Sequence, residues 1–119
     1  PEVLTGSTRL KAGSATKAVL NAITTAAMVR AGKAYTNFMV DLRQTSKKLE
    51  DRARRIVAIA ADVDLAEADR LVRAADDEVK TAIVMGLLGV DAPAARKRLD
   101  TGGGQVRKAV NGTRRLARR

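Results

Sequence analysis

Residues 14–31, SATKAVLNAITTAAMVRA, constrain the chain more than any other stretch. Gly13 lets the backbone turn and Ser14 is a good N-cap, so the pattern predicts a helix over 14–31, with Gly32 as the residue that ends it. Val19, Leu20, Ile23, Ala26, Ala27 and Val29 cover a wide arc, and Arg30 stands only at the end. A helix that is apolar nearly all round has to be buried in something larger. The next stretch, YTNFMVDL at 35–42, reads as a strand, because Tyr35, Phe38, Met39 and Val40 are strand formers. One strand cannot pair with itself: either it pairs with another copy of the chain, or its sheet lies elsewhere. Val3 and Leu4 read as the end of a strand further upstream, in front of a loop over 1–13. The chain begins at Pro1 rather than Met, and these features together read as a fragment. A bare apolar helix and an open strand edge are liabilities, so a homodimer or higher homo-oligomer is expected, in which these elements pair or swap. Within them, Thr24 and Thr25 are expected to hydrogen-bond to the helix backbone and Met28 and Met39 to lie in a core. Asp41 is expected to act as a cap or an ion-pair partner.

Composition changes at Arg43–Ser46, and the pattern becomes amphipathic. Thr45 or Ser46 caps a helix with apolar positions at Leu49, Ala53, Ile56, Val57 and Ala60. Asp64 with Glu67 resembles a capping box for a helix carrying Leu65, Leu71 and Val72. Asp76 or Asp77 starts another, with Val79, Ile83, Val84 and Leu87, which Gly89 stops. Asp91-Ala-Pro93 opens a fourth, carrying Ala95 and Leu99 and broken by Gly102-Gly103-Gly104. A last short helix is predicted from Gln105 to about Asn111. The spacing of Asp62, Asp64, Asp69, Asp76 and Asp77 does not fit a calcium loop, and these acids read as caps.

With 119 residues the chain has room for one domain or two very small ones. It has no cysteine and no histidine, which excludes a disulfide framework, a thiolate or imidazole metal site, and a Ser-His or Cys-His pair. No apolar run is long enough to span a bilayer, so no membrane is expected, and the lack of cysteine fits a cytoplasmic location. The net charge is +10, from 23 Lys+Arg against 13 Asp+Glu. Such an excess invites a nucleic-acid reading. Against that reading, Tyr35 and Phe38 are the only aromatics, too few for a base-stacking platform. Much of the excess also sits at 105–119, in a basic end without an acid.

The first stretch, PEVLTGSTRLKAGSATK, carries the chemistry. A glycine-containing turn converges backbone N–H groups on an anion, and a following helix start adds unpaired donors. Thr5, Ser7 and Thr8 supply hydroxyls, Arg9 a bidentate grip and Lys11 a point charge. The Walker A spacing is absent. The plain alternative is a polar loop in front of a capped helix.

These residues also resemble a known signature, shared by the N-acetylmuramic acid 6-phosphate etherases and the glucokinase regulatory protein. The similarity continues in order through NAITTAAMVRAGKAYTNFMVDL, RQTSKKLEDRARRIV and EVKTAIVMGLLGVDAPAARKRLD, and so covers nearly the whole chain. The bacterial etherases are the nearer match. Ser14-Ala15-Thr16 stands where Thr-Ala-Gln is common, Gln44 where Pro is common, and the tail beyond about Gly112 has no counterpart in the family.

The resemblance implies a mainly α fold in three parts. Residues 1–42 would end an α/β sugar-isomerase-type phosphosugar domain, as a loop, a buried helix and one strand. Residues 43–111 would form a small bundle of short helices resembling a ubiquitin-associated module, and 112–119 a basic tail. It implies an etherase that cleaves the lactyl ether of its phosphosugar substrate by elimination and water addition, without metal or cofactor, in cell-wall recycling. That reaction needs a base beside the aldehyde and an acid for the departing lactate. In the family two glutamates in the upstream half are thought to serve, so no catalytic residue is expected in this chain, and alone it is expected to be inactive. Ser7, Thr8, Arg9 and Lys11 match the family's positions and are expected to contact the phosphosugar, with Glu2 lining the site. The alternative is that Arg9 and Lys11 pair with carboxylates of the missing half. Two other functions stay open here: a phosphosugar-sensing regulatory module, and a basic helical nucleic-acid binder.

Overall fold

The computed structural model describes residues 8–116. Its elements are α1 (Thr8–Arg30), β1 (Ala34–Tyr35), β2 (Phe38–Met39), α2 (Lys47–Ala61), α3 (Leu65–Ala74), α4 (Val79–Leu88), α5 (Ala92–Thr101) and α6 (Val106–Leu116). The fold is mainly helical, as expected.

Two expectations for the first part need correction. The helix is already formed at Thr8, so Gly13 and Ser14 lie inside it and residues 8–13 are not a loop. Arg9, Leu10, Lys11 and Ala12 are good helix formers, and one glycine costs only about 1 kcal/mol against alanine, too little to break the run. Within this chain α1 is exposed along its length, with Val19, Leu20, Ile23, Met28 and Val29 each more than half exposed, as expected of a helix whose cover lies in something larger. Nothing among the described residues covers it. Finally, the predicted strand 35–42 is a two-residue hairpin, β1 pairing antiparallel with β2 in the register Ala34↔Met39 and Tyr35↔Phe38. Thr36 takes a left-handed backbone (φ 52°) at its turn. The strand satisfies itself locally, and Met39 is exposed rather than in a core.

The hairpin belongs spatially with the later helices. Val40 is 1% exposed and sits in their core, and Tyr35, Phe38 and Leu42 pack against the same cluster. Gly32, at φ +71°, lets the chain leave α1 beside the α5–α6 turn. There an added Cβ would come within 2.9 Å of Gln105 Cγ. Gln105 Nε2 donates to the Arg30 carbonyl at 3.2 Å, which ties the end of α1 to the same turn.

α4 is the centre of the helical unit. Val79, Thr81, Ala82, Ile83, Val84 and Met85 are all buried. Ala53, Ile56 and Val57 of α2, Ala68, Leu71 and Val72 of α3, Ala95 and Leu99 of α5, and Val106 and Ala109 of α6 share its core, and Ala61 of α2 lies against it at Gly86. Asp64 accepts from the Glu67 N–H at 2.8 Å and Asp91 from the Ala94 N–H at 2.9 Å, so both predicted caps form. The box at Asp64 is one-sided, because Glu67 turns to Arg70 (Nε to Oε2, 2.7 Å). The N-cap of α4 is Glu78, not Asp76 or Asp77. Those two adopt left-handed backbones (φ 53° and 63°) and their N–H groups close α3, Asp76 on the Arg73 carbonyl and Asp77 on the Val72 carbonyl. Leu65, expected on an apolar face, is 60% exposed. α6 runs past the predicted end at Asn111.

α4 approaches its neighbours at Gly86, where an added Cβ would lie 2.7 Å from Ala61 Cβ and 3.1 Å from Leu71 Cδ1. Gly86→Ala is therefore expected to destabilise the helical unit by about 1–3 kcal/mol, because two backbones must move apart. Gly13→Ala meets open space and is expected to raise the helical content of α1. Urea unfolding checks the first and far-ultraviolet circular dichroism the second; an unchanged midpoint for Gly86→Ala would contradict this packing.

Candidate functional site

Of the residues expected to hold a phosphosugar, Glu2 and Ser7 lie outside the described residues. Thr8, Arg9 and Lys11 stand in the first turn of α1 rather than in a loop. Arg9 and Lys11 are exposed. Two positions apart on a helix, they leave it about 200° from one another, so α1 alone does not bring them together. They flank the start of the helix. Thr24, further along, donates its hydroxyl to the Leu20 carbonyl at 2.9 Å and serves the helix itself.

A second polar cluster lies where the hairpin meets α4 and α5. Asp41 receives Lys33 Nζ at 3.1 Å and Lys80 Nζ at 3.4 Å, one cation on each carboxylate oxygen. Arg96 of α5 reaches back to the α3–α4 turn. Its Nε meets Glu78 Oε2 at 2.9 Å, and its Nη2 meets Asp76 Oδ2 at 2.6 Å and the Ala75 carbonyl at 3.1 Å. Thr81, buried, donates to the same Glu78 oxygen at 2.7 Å. Gln44 Nε2 donates to the Asp77 carbonyl at 2.8 Å and secures the segment between hairpin and α2. Asp41, Arg43, Gln44, Lys80 and Arg96 line a cleft of about 600 Å³.

The electrostatics of this cleft are those of a clasp. The hydrogen bond from Lys33, helped by Lys80, holds the Asp41 carboxyl below its ordinary range against a smaller opposing effect of burial. Arg96, then Thr81, does the same for Glu78. Both acids are ionised and paired at neutral pH, which suits neither to the proton transfers of general acid–base chemistry. No group of three or more metal-binding side chains gathers among the described residues. Asp41 was legible as an ion-pair residue. Its partners and the whole Arg96 cluster were not, because they lie 8 to 39 positions away along the chain and nothing local marks them.

No protein-family model matches the chain. Curated relatives do. The chain is 54% identical over 112 residues to an N-acetylmuramic acid 6-phosphate etherase of Salinibacter ruber, a match over 94% of this chain and 36% of that protein. It is 52% identical over 110 residues to one of Mycolicibacterium smegmatis (92% of this chain, 37% of that protein). One of Oceanobacillus iheyensis is 52% identical over 108 residues (91% and 37%). Over nearly its whole length, the chain is similar in sequence to N-acetylmuramic acid 6-phosphate etherases. It spans a little over a third of the length of these etherases, and the match takes in α1, the hairpin and the helical unit alike, since it covers more than nine-tenths of the chain.

The paired acids give the helical unit a definite pH dependence. Asp41 and Glu78 hold protons less readily folded than unfolded. Their stabilisation is therefore present above the ordinary carboxylate range and lost as pH falls below about 4. The urea midpoint is expected to hold from pH 7 to pH 5 and to drop toward pH 3. Arg96→Leu is expected to lower the midpoint at pH 7 and to make less difference toward pH 3, as the stabilisation of the ionised Glu78 by Arg96 is lost. A difference that stays constant with pH would show that Arg96 acts through packing alone.

Proposed function

We propose that the chain is the C-terminal portion of a bacterial etherase that cleaves the lactyl ether of N-acetylmuramic acid 6-phosphate. The products are N-acetylglucosamine 6-phosphate and D-lactate, and the step belongs to cytoplasmic recycling of cell-wall peptidoglycan. The observation that carries this reading is identity above one half to proteins of that name along more than nine-tenths of the chain. The regulatory-module and nucleic-acid readings have no comparable support. No helix among the described residues is long and apolar enough to cross a membrane.

In this reading α1 is an element of a sugar-isomerase-type phosphosugar domain, whose remainder covers the apolar residues that α1 exposes here. The lyase carboxylates belong to that remainder, and this chain supplies binding groups only. Glu2, Ser7, Thr8, Arg9 and Lys11 contact the phosphosugar. Arg9 and Lys11 project to either side of the start of α1, which suits a phosphate lying across the helix start, where N–H groups are unpaired. The helical unit is an appendage of the ubiquitin-associated kind and ends in a basic tail over 112–119. The expected boundary lies at 42/43; the packing of Val40 and the hairpin with the helices supports moving it to Ala31–Lys33 in this reading. The assembly is a homodimer or higher homo-oligomer.

Lactate release from N-acetylmuramic acid 6-phosphate tests the reading on this chain and on the protein made from its full reading frame. Release by the longer protein alone is the expected result; release by neither would overturn it. In the longer protein, Arg9→Ala and Lys11→Ala are each expected to lower kcat/KM by about ten-fold or more, the loss of one charged hydrogen bond. Wild-type kinetics in both variants would remove these residues from the site.

A further inference from the structure

The outward face of α2 carries an exposed stripe. Lys48, Arg52, Arg55 and Ile59 follow at i, i+4, i+7 and i+11, and Asp62, the C-cap residue, extends the line at i+14. At 100° per residue the four helical residues lie within about 40° of one line along the helix, and Asp62 follows them at its end with a left-handed backbone (φ 55°). All are exposed, Ile59 to 65%. Arg54, next door, pairs with Glu50, Asp51 and Asp69. Lys48, Arg52, Arg55 and Asp62 make no ion pair among the described residues. Beside the stripe, exposed Met39 and half-buried Phe38 of the hairpin share a shallow groove with Arg52, Arg55 and Ile59.

The order of charge along the stripe is informative. Cations stand toward the N-terminus of α2 and an acid at its C-terminus, opposite to what the helix dipole favours. Helix stability does not explain that order. Self-complementarity does. A two-fold axis passing between Arg55 and Ile59 reverses the stripe onto itself. Arg52 then faces Asp62 of a second copy, and the stem of Arg55 lies over the second copy's Ile59, each contact being made twice. We infer that this face pairs with the same face of a second copy, the two α2 helices running antiparallel, with Ile59 and Met39 enclosed between two sets of opposite charges. A nucleic acid would use the three cations but would meet Asp62 and gain nothing from Ile59 and Met39. One helix face and a hairpin tip make a small interface, so the association is weak and sensitive to salt. The inference rests on α2 and the hairpin and goes beyond the etherase reading.

The test is site-directed crosslinking of the whole chain, which has no cysteine of its own. Ile59→Cys is expected to crosslink between copies through a short bis-maleimide. Lys97→Cys, exposed on α5, should give only background. In the Ile59→Cys background, Arg52→Glu or Asp62→Lys is expected to cut the yield several-fold. Mixing those two variants, or combining both substitutions in one chain, should restore it. Asp62→Asn, which tolerates the left-handed backbone at that position, serves as a second variant and should also lower the yield. Association through α1 alone would leave the yield indifferent to residues 52 and 62, and that result overturns the inference. Equal yields at 59 and 97 overturn it too. So does duplex DNA binding that falls with Arg52→Glu and rises with Asp62→Lys while the crosslink is absent.

Discussion

Everything in the helical unit is arranged around the burial of α4. Its ten residues include six that are buried, and burying each large aliphatic side chain there contributes about 1.5–3 kcal/mol relative to exposure. A helix buried on most sides needs neighbours on most sides, and α2, α3, α5 and α6 fill those places. The close approach at Gly86 lets α4 lie against Ala61 of α2 and Leu71 of α3. The hairpin then closes the remaining gap with Val40. The ion pairs of Arg96 and Asp41 lie at the surface of this arrangement and hold its turns in place, with modest strength because water screens them.

α1 presents the opposite situation. It is as apolar as α4 in its middle, yet it is exposed along its length. The difference between the two helices is the supply of neighbours. The described residues include the partners α4 needs and none that cover α1. That contrast, with a match to only about a third of each related etherase, supports reading α1 as one piece of a larger domain. The groups proposed to meet phosphate stand at the N-terminal end of this helix, so their convergence depends on what packs around it.

Features governed by near neighbours in the chain were legible before the structure. Asp64 and Asp91 cap their helices because the acceptor and the N–H it meets are three residues apart. The apolar spacing of Ala53, Ile56 and Val57 and of Val79, Ile83 and Val84 marked the buried faces correctly. The hairpin was missed because Thr36-Asn37 lacks the Asn-Gly or Asp-Gly pair that usually marks a two-residue turn. The start of α1 was missed because Gly13 was given the weight of a breaker, although its neighbours favour helix. The Arg96 cluster had no local mark at all.

By itself the sequence determined where α1, α4 and α5 end, which faces of α2 to α5 turn inward, and which proteins the chain resembles. These depend on contacts over three or four residues and on residue identity in order. Only the tertiary structure decided that the hairpin sides with the helices, that Asp41 joins Lys33 to Lys80, and that Gly86 is a contact point. Each of those depends on which distant surfaces meet, and a hydrophobic residue carries no label saying which other one will cover it.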